Sequence, residues 1–409
     1  MQSVRKTVTR RLNMAERAEG FKLLSTYTPD FKSWSERFLT TTGLNTVAAP
    51  LRLAIGEDPS KTDSTGRLLY ALGGTGLQIF EASSQEPVPV GPQVQMEGML
   101  NSSSGGGLCI SGKHLFVAAG EYLAVLDVTD PAAPRELVRT DTGVQPWTGD
   151  VAVLDQHAYV VGDGGLATFD IADPAAPNRL FPAAGKGQSL TKTIVKEALD
   201  LTAFAGSKRL LVRRSSSGVH AFVVTSTFLV VYDVSSPAEP KQVNPKRQKN
   251  KVGAVFKDQM DPWARAALAF VGDSHLLITG KCGIAIWNVA DPAQPTLVAV
   301  NKYQGEGGAP TKFLVPETQG TDVVVRGGFA FLTSYRWGLT VYDVSEPTQP
   351  AFVAARKIDI KGNLMDHAVA VEGGKAYVVT DTGLATFDVP DPAAWPREQL
   401  SSGGCCEIM

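Results

Sequence analysis

One twelve-residue phrase recurs along the chain and constrains its fold more than any other feature. The phrase has the pattern Leu-x-Val-x-Asp-Val-x-Asp-Pro-x-x-Pro, and its clear copies lie at 123–134, 166–177, 229–240, 284–295, 339–350 and 384–396. A weaker copy, LQIFEASSQEPVP, precedes them at 77–89. The fifth residue of each copy is its anchor, and the anchors are Glu81, Asp127, Asp170, Asp233, Asn288, Asp343 and Asp388. Neighbouring anchors are 43 residues apart at the closest, which is typical of a repeat protein with insertions.

Each repeat contains four short apolar runs. Runs such as VAVLDQ (151–156) and HAYVV (157–161) precede the phrase, the phrase supplies a third, and a run such as PRELVRT (134–140) follows its last proline. β-Branched and aromatic residues dominate these runs, which indicates strands, and the Asp-Pro step indicates a tight turn. A single four-stranded sheet cannot bury both faces, whereas seven sheets around one axis can. The sequence therefore predicts an all-β fold, a seven-bladed β-propeller of four-stranded antiparallel blades.

The phrase, with an Ala-Tyr-Val run before it, resembles the LVIVD repeat family over roughly residues 50–400. The resemblance implies a propeller and says almost nothing about activity, because the family is defined by its scaffold. The chain departs from the family pattern in its first copy and at Asn288, which replaces the usual Asp.

Three parts are expected along the chain: an N-terminal arm with some helix at 1–45, the propeller at 46–400 and a flexible cysteine-containing tail at 401–409. Little chain remains after the seventh copy for a fourth strand. FKLLSTYTP (21–29), however, resembles the last strand of other repeats, such as RELVRTDTG (135–143). We therefore expect the N-terminal segment to pair into the last blade and close the ring.

Composition and charge exclude several classes of function. Hydrophobic residues make up 43% and charged residues 20% of the chain, which is ordinary for a soluble globular protein. The formal net charge is −2, and the basic run PKRQKNK (245–251) has no interleaved aromatic residues, so we expect no nucleic-acid partner. No apolar run has transmembrane length, and the N-terminus lacks the apolar segment of a secretory signal. We expect a cytoplasmic monomer, with a mitochondrial presequence as the alternative interpretation of the basic N-terminus.

Function is expected on the face that carries the insertions, which we name the top face. The turn after each third strand, with its short Asp-Pro step, lies on the opposite bottom face. The long insertions at 181–207, 241–264 and 301–321 join one blade to the next at the top. Long loops on a rigid scaffold are the usual place for binding. We therefore expect a protein or small-molecule ligand on the top face.

Four side chains near the starts of innermost strands form a candidate catalytic site at the channel mouth: Asp150, Asp322, Asp366 and His367. His367 and Asp366 are also candidate ligands of a divalent metal, the one cofactor that the sequence suggests. The alternative is that these side chains accept hydrogen bonds from neighbouring backbone. Candidate ligand-binding residues on the top loops are Trp147, Tyr335, Arg336 and Trp337.

The other histidines and the missing motifs argue for a scaffold. His114, His157, His220 and His275 share one repeat position, which indicates a structural role. No phosphate-binding loop, nucleophile elbow, paired Cys-x-x-Cys or His-Glu-x-x-His occurs, which lowers the expectation of an enzyme.

The last residues suggest a lipid anchor. Cys406-Glu407-Ile408-Met409 resembles a CaaX prenylation motif, and Cys405 could carry a second lipid. With the basic run 245–251, the tail would hold the protein at an anionic membrane surface. Three alternatives stay open: a thiol pair that binds a soft metal or is redox-active, a tail bound or modified in the top cavity, or a disordered end.

Together these observations favour a non-enzymatic binding or scaffold propeller that works through its top face and is held at a membrane by its tail. The alternative is a metal-assisted enzyme with its site at the top mouth of the channel.

Overall fold

A computed structural model describes residues 22–27, 52–61, 66–73, 76–82, 87–96, 106–144, 148–162, 164–182, 209–224, 229–244, 266–280, 283–302, 320–334, 338–356, 368–380 and 383–389. Within these ranges the regular structure is 29 β-strands and no helix. The strands form seven antiparallel sheets, which are the blades of a β-propeller. The predicted fold class is confirmed.

The first four blades follow the chain in order. Blade 1 contains β2 (Arg52–Glu57), β3 (Arg67–Gly73), β4 (Gly76–Glu81), β5 (Val88–Pro89) and β6 (Val94–Gln95). Blade 2 contains β7 (Gly106–Ser111), β8 (His114–Ala119), β9 (Tyr122–Asp127) and β10 (Arg135–Asp141). Blade 3 contains β11 (Thr148–Leu154), β12 (His157–Gly162), β13 (Gly165–Asp170) and β14 (Asn178–Phe181). Blade 4 contains β15 (Arg209–Ser215), β16 (Gly218–Val224), β17 (Leu229–Asp233) and β18 (Lys241–Gln242). In blade 1 the outer strand is broken, and β5 and β6 both pair with β4.

The last three blades complete the ring. Blade 5 contains β19 (Leu268–Val271), β20 (His275–Gly280), β21 (Gly283–Asn288) and β22 (Thr296–Lys302). Blade 6 contains β23 (Gly320–Arg326), β24 (Phe329–Ser334), β25 (Gly338–Asp343) and β26 (Ala351–Arg356). Blade 7 contains β27 (Ala368–Glu372), β28 (Lys375–Thr380), β29 (Gly383–Asp388) and, as its outer strand, β1 (Lys22–Tyr27).

The N-terminal segment closes the ring, as its sequence suggests. β1 pairs antiparallel with β29, so the two ends of the described chain meet in one blade. Two contacts join blade 7 to blade 1 at the same seam. The buried Tyr377 hydroxyl donates a hydrogen bond to the carbonyl of Ala82, and Arg67 pairs with Glu372 at 3.5 Å. The bounds of the N-terminal arm, propeller and tail stay predictions.

Apolar side chains fill each seam between neighbouring blades. Seven buried clusters occupy the seven seams, so that each blade packs against both neighbours. The second strand of a blade is buried on both faces, which is why it reads as a nearly continuous apolar run, as in HLFVAA and HAYVVG. Burying one large apolar side chain stabilises the fold by about 1.5–3 kcal/mol before the cost of lost entropy.

The Asp of the repeated phrase forms the bottom turn. Its Oδ1 accepts the N–H two residues on, as when Asp127 accepts from Thr129 at 2.9 Å and Asp343 accepts from Ser345 at 2.9 Å. Asn288 makes the same bond to Ala290, which explains why an amide is tolerated there. Hydrogen bonds from Thr129, first from its side chain and then from its backbone, lower the pKa of Asp127.

Candidate functional site

The inner strands bring one residue of every blade to the same level of the channel. Each of these residues lies opposite the position four residues after the second-strand residue that pairs with the phrase anchor. Asp150 pairs with Val161, four residues after His157, and Arg209 pairs with Val224, four residues after His220. The top mouth is the end at which the inner strands begin, so this level lies near it. We name the set the channel layer, and in blade order it is Arg52, Gly107, Asp150, Arg209, Ala267, Asp322 and Ala368. The layer therefore contains two cations, two anions and three small residues.

Asp150 ties blade 3 to blade 4. Its Oδ1 accepts the N–H of Val151 at 3.0 Å, and its Oδ2 accepts the N–H of Leu210 on the next inner strand at 3.0 Å. Burial raises the pKa of Asp150 above its usual range. The positive charges of Arg209 and Arg52 and the two backbone donors oppose that rise.

Arg209 reaches across the channel to Asp322. Its Nη2 lies 3.1 Å from Asp322 Oδ1, which joins blade 4 to blade 6 and passes over blade 5. The side chains are 9% and 17% exposed, so the ion pair is largely removed from water. Asp322 Oδ2 accepts the N–H of Val369 at 3.1 Å, which ties blade 6 to blade 7. A single carboxylate thus connects three blades.

Small residues occupy the ring positions that lie between the charged residues of the channel layer. Ala267 of blade 5 lies between Arg209 and Asp322 in the ring, and Gly107 of blade 2 lies between Arg52 and Asp150. A Cβ on Gly107 would lie 2.4 Å from the backbone nitrogen of Val151, so only glycine fits there. The small Ala267 lets Arg209 reach Asp322 two blades away, and the charge of Arg52 acts on Asp150, also two blades away.

The channel layer contains as many positive as negative side chains and lies below the top mouth of the channel. Each of the four oxygens of Asp150 and Asp322 accepts a hydrogen bond from a neighbouring group. A metal or a proton bound at either carboxylate would compete with hydrogen bonds that join two blades. This geometry matches the alternative interpretation, in which the aspartates accept hydrogen bonds from neighbouring backbone. The catalytic assignment of both residues stays a prediction.

The other predicted site residues lie outside the described residues. They are Trp147, Tyr335, Arg336, Trp337, Asp366, His367, Cys405 and Cys406. Within the described ranges, no group of three His, Cys, Asp or Glu side chains is arranged to hold a metal ion. The divalent metal, the ligand-binding loops and the lipidated tail stay predictions. None of the described segments forms a helix long and apolar enough to cross a membrane.

The four repeat-position histidines have a shared place in the fold. Each lies in the first turn-proximal part of a second strand and pairs with the anchor of the phrase on the third, as His114 does with Asp127 and His275 with Asn288. His114, His157 and His275 begin their strands, and His220 is the third residue of β16. They lie at the bottom edge of the blades, at the opposite end from the channel layer. Cys109 is also structural: burial raises the pKa of its thiol to about 11, so at neutral pH it is protonated and a poor nucleophile.

Sequence reasoning missed the two arginines of the channel layer. Arg52 and Arg209 are each the first residue of an inner strand and are 5% and 7% exposed. An alignment of the inner strands by repeat position places both in the same column as Asp150 and Asp322. The occurrence of both Arg and Asp at one aligned repeat position was the sequence signal that could have indicated ion pairing in the channel.

The fold and this layer define the class: the protein is a seven-bladed β-propeller whose channel is crossed by the Arg209–Asp322 ion pair. The LVIVD repeat model matches residues 105–142, 147–181 and 319–357. These matches include blades 2, 3 and 6.

Solved structures support the fold alone. A protein from Lactobacillus plantarum is similar with a TM-score of 0.56 and 13% identity, over 85% of this chain and 94% of that one. A functionally unknown protein from Desulfotomaculum acetoxidans DSM 771 has a TM-score of 0.52 and 10% identity, over 75% and 86%. Saccharomyces cerevisiae Sqt1 has a TM-score of 0.51 and 10% identity, over 85% and 97%. No curated protein matches the chain significantly.

Proposed function

We propose that this protein is a non-enzymatic binding or scaffold propeller that presents its top face to a protein or small-molecule ligand. The observation that carries the proposal is the channel layer. Each of its two carboxylates joins neighbouring blades and its charges balance, so the layer supports a rigid mouth on which a ligand can bind. The repeat architecture is consistent with a binding or scaffold role.

The bottom face supports the same proposal, because its turns are uniform whereas the insertions assigned to the top face differ between blades. The anchor carboxylates there accept backbone N–H groups of their own turns, for example Asp170 from Ala172 and Asp233 from Ser235, both at 2.9 Å. These short turns vary little in blades 2 to 6. The long insertions at 181–207, 241–264 and 301–321 differ between blades and are expected at the top face, and differences between repeats allow a repeat scaffold to be specific.

Cross-linking mass spectrometry on the full-length protein tests the proposal. Wild type, Trp337→Ala and Arg336→Ala would be compared with Asp173→Asn, a matched change in a bottom turn. We expect cross-links to a partner to map to top loops and to be lost in the two top-face variants only. Cross-links that persist in both variants, or that map to the bottom turns, would show that the face is assigned wrongly.

The enzyme alternative has a separate readout. A stoichiometric metal in the purified protein that disappears in His367→Ala would replace the scaffold proposal by a metal-assisted reaction. Membrane association is a further part of the proposal, supported by Cys405, Cys406 and the basic run 245–251. The mass of the C-terminal peptide from the native host tests it, because a prenyl group adds a defined mass to Cys406.

A further inference from the structure

The outer strands of blades 2 and 5 share a bulge that turns two residues to the same face. The pairing of each outer strand with the third strand skips one residue, Leu137 in β10 and Val298 in β22. The residues three apart around the bulge therefore point the same way. Glu136 and Arg139 of blade 2 show this directly, because they form an ion pair with Nη2 2.8 Å from Oε2.

Blade 5 replaces this ion pair by two apolar side chains. Counted from the residue that pairs with the phrase anchor, Leu297 and Val300 of β22 occupy the positions of Glu136 and Arg139 in β10. Leu297 is 42% exposed and Val300 is 36% exposed. Residues 296–301 carry no charge, although charged side chains are a common protection of an edge strand against pairing with another chain. The outer edge of blade 5 therefore lacks the protection that blade 2 has.

The exposure of Leu297 and Val300 follows from the short outer strand of blade 4. They pair with Trp287 and Ala285, which belong to the buried cluster between blades 4 and 5, and opposed residues of a strand pair share a face. They therefore face blade 4, whose outer strand β18 has only two residues. The equivalent of Leu297 in blade 6, Phe352, is instead packed in the seam with blade 5.

The faces of β22 read the same in both directions along the strand. Val298 and Ala299 pack in the seam with blade 6, and Asn301 Nδ2 donates to a carbonyl of that blade at 2.6 Å. Thr296 directly precedes Leu297 in an extended strand and so takes the face opposite to it. From 296 to 301 the order of the faces is blade 6, blade 4, blade 6, blade 6, blade 4, blade 6. This order is a palindrome with its centre between 298 and 299.

A palindromic strand is complementary to a second copy of itself. Antiparallel pairing about the centre sets Leu297 opposite Val300 of the other copy, and every opposed pair then shares a face. Charge also favours this register. The single charged residue of β22, Lys302, falls at the opposite end of the pair from its counterpart, at the end where the phrase of the second copy carries the exposed Asp291. Among the described residues, the outer edge of β22 has no neighbouring strand that would block such pairing.

We propose that β22 is the interface of a homodimer in which two copies of blade 5 join edge to edge into one continuous sheet. The occupant of this edge is thus a second copy of the chain, which replaces the monomer expected from the sequence. The seven-residue strand is about 24 Å long, and one strand pair buries less than the roughly 1,200 Å² of a standard interface. The dimer is therefore reversible, with a dissociation constant on the order of 10 µM or weaker. It leaves the top face open.

Sedimentation velocity of the full-length protein over about 1–200 µM tests the dimer. The dimer fraction should rise with concentration in the wild type. Leu297→Glu places a charge opposite an apolar residue twice in each dimer, so it should raise the dissociation constant about tenfold. Glu136 occupies this position in blade 2, so the fold accepts the residue and the melting temperature should be unchanged. Ala355→Glu, at the position of Val300 on β26 of blade 6, is the matched control and should leave the dissociation constant unchanged.

Disulfide trapping tests the register. Leu297 lies directly opposite Val300 of the second copy, whereas the two copies of Leu297 are about 10 Å apart along the strands. In full-length protein with Cys282, Cys405 and Cys406 replaced by Ser, we mix a Leu297→Cys protein with a Val300→Cys protein. The mixture should form a disulfide-linked dimer under mild oxidation, and neither protein alone should do so.

Three results would overturn the proposal. A monomer at every concentration would exclude the second copy as the occupant, in favour of a strand from a different protein. A dimer that Leu297→Glu leaves intact, or that Ala355→Glu weakens equally, would place the interface elsewhere. Cross-linking of either single protein to the same extent as the mixture would exclude the pairing of Leu297 with Val300.

Discussion

Replacing Asp322 by Asn removes the charge that faces Arg209 across the channel while keeping the size of the side chain. The amide oxygen can still accept the N–H of Val369, so the link to blade 7 survives. The amide nitrogen, however, is a donor that cannot accept from the guanidinium. A largely buried cation therefore loses its charged partner, and this isolates the contribution of the bond that crosses the channel.

The expected loss is large for a single substitution. At the observed 3.1 Å separation, two unit charges attract by about 5 kcal/mol at an effective dielectric constant of about 20. Desolvation of both groups offsets part of this, and removing one member of a buried pair usually costs about 3–5 kcal/mol because the other charge stays behind. We expect Asp322→Asn to lower the free energy of unfolding by about 3 kcal/mol.

A double-mutant cycle with Arg209→Met separates the pair from the other contacts of each residue. Guanidinium denaturation of wild type, both single variants and the double variant gives the coupling energy, which we expect to be about 2 kcal/mol. The matched comparison is Asp273→Asn. Asp273 also pairs with an arginine, Arg213, at 3.4 Å, but its side chain is fully exposed, so we expect no measurable loss.

Two results would refute this reasoning. A coupling energy indistinguishable from zero would mean that the charges do not stabilise each other across the channel. Equal effects of Asp322→Asn and Asp273→Asn would mean that burial of the pair is irrelevant to its strength.

Three further predictions concern the edges of the blades. Asn244→Leu should cost about 2 kcal/mol by denaturation, because the buried amide accepts the N–H of Val231 and donates to the carbonyl of Leu229, in the part of β17 that lies beyond the two-residue outer strand β18; a neutral result would contradict that role. Deleting residues 1–30 removes β1 and should lower the melting temperature sharply, whereas an unchanged melting temperature would show that the ring closes without it. Asp127→Asn should destabilise the protein at pH 7 but much less at pH 3. The lowered pKa of Asp127 stabilises the fold above pH about 4, and this contribution disappears as the pH falls, so a pH-independent difference would exclude it.

The sequence predicts the blades well because each blade repeats one pattern. The phrase combines a strand of alternating large residues with an Asp that closes its own turn, and both signals are local. The N-terminal strand was also predictable, since residues 21–29 resemble an outer strand and the seventh copy lacks one. The break between β5 and β6 was not foreseen, because VPVGPQVQ at 88–95 reads as a continuous run although its prolines cannot donate to the neighbouring strand.

The candidate site was only half predictable. Asp150 and Asp322 stand out as acids before apolar runs, but their contacts depend on residues two blades away along the ring. No local pattern indicates that Arg209 reaches Asp322, because 113 residues separate them in the chain. The pairing requires the closed ring, the shared level of the inner strands and a small residue at Ala267, and only the first two follow from counting repeats.

Function in this molecule is expected at positions where the repeats differ. The consensus polar group of each unit, the anchor Asp or Asn, accepts a backbone N–H of its own turn in blades 2 to 6 and leaves little chemistry for a ligand. The described sets of unusual polar residues lie where the copies disagree: the channel layer, which alternates charged with small residues, and the connection at 58–66 between β2 and β3 of blade 1. Both sets join neighbouring blades or line the space between them. A ligand that binds at such a seam contacts two blades at once, so its binding also stabilises the ring. The increase in melting temperature on ligand binding should therefore be largest for ligands that bind at the seams bridged by these residues.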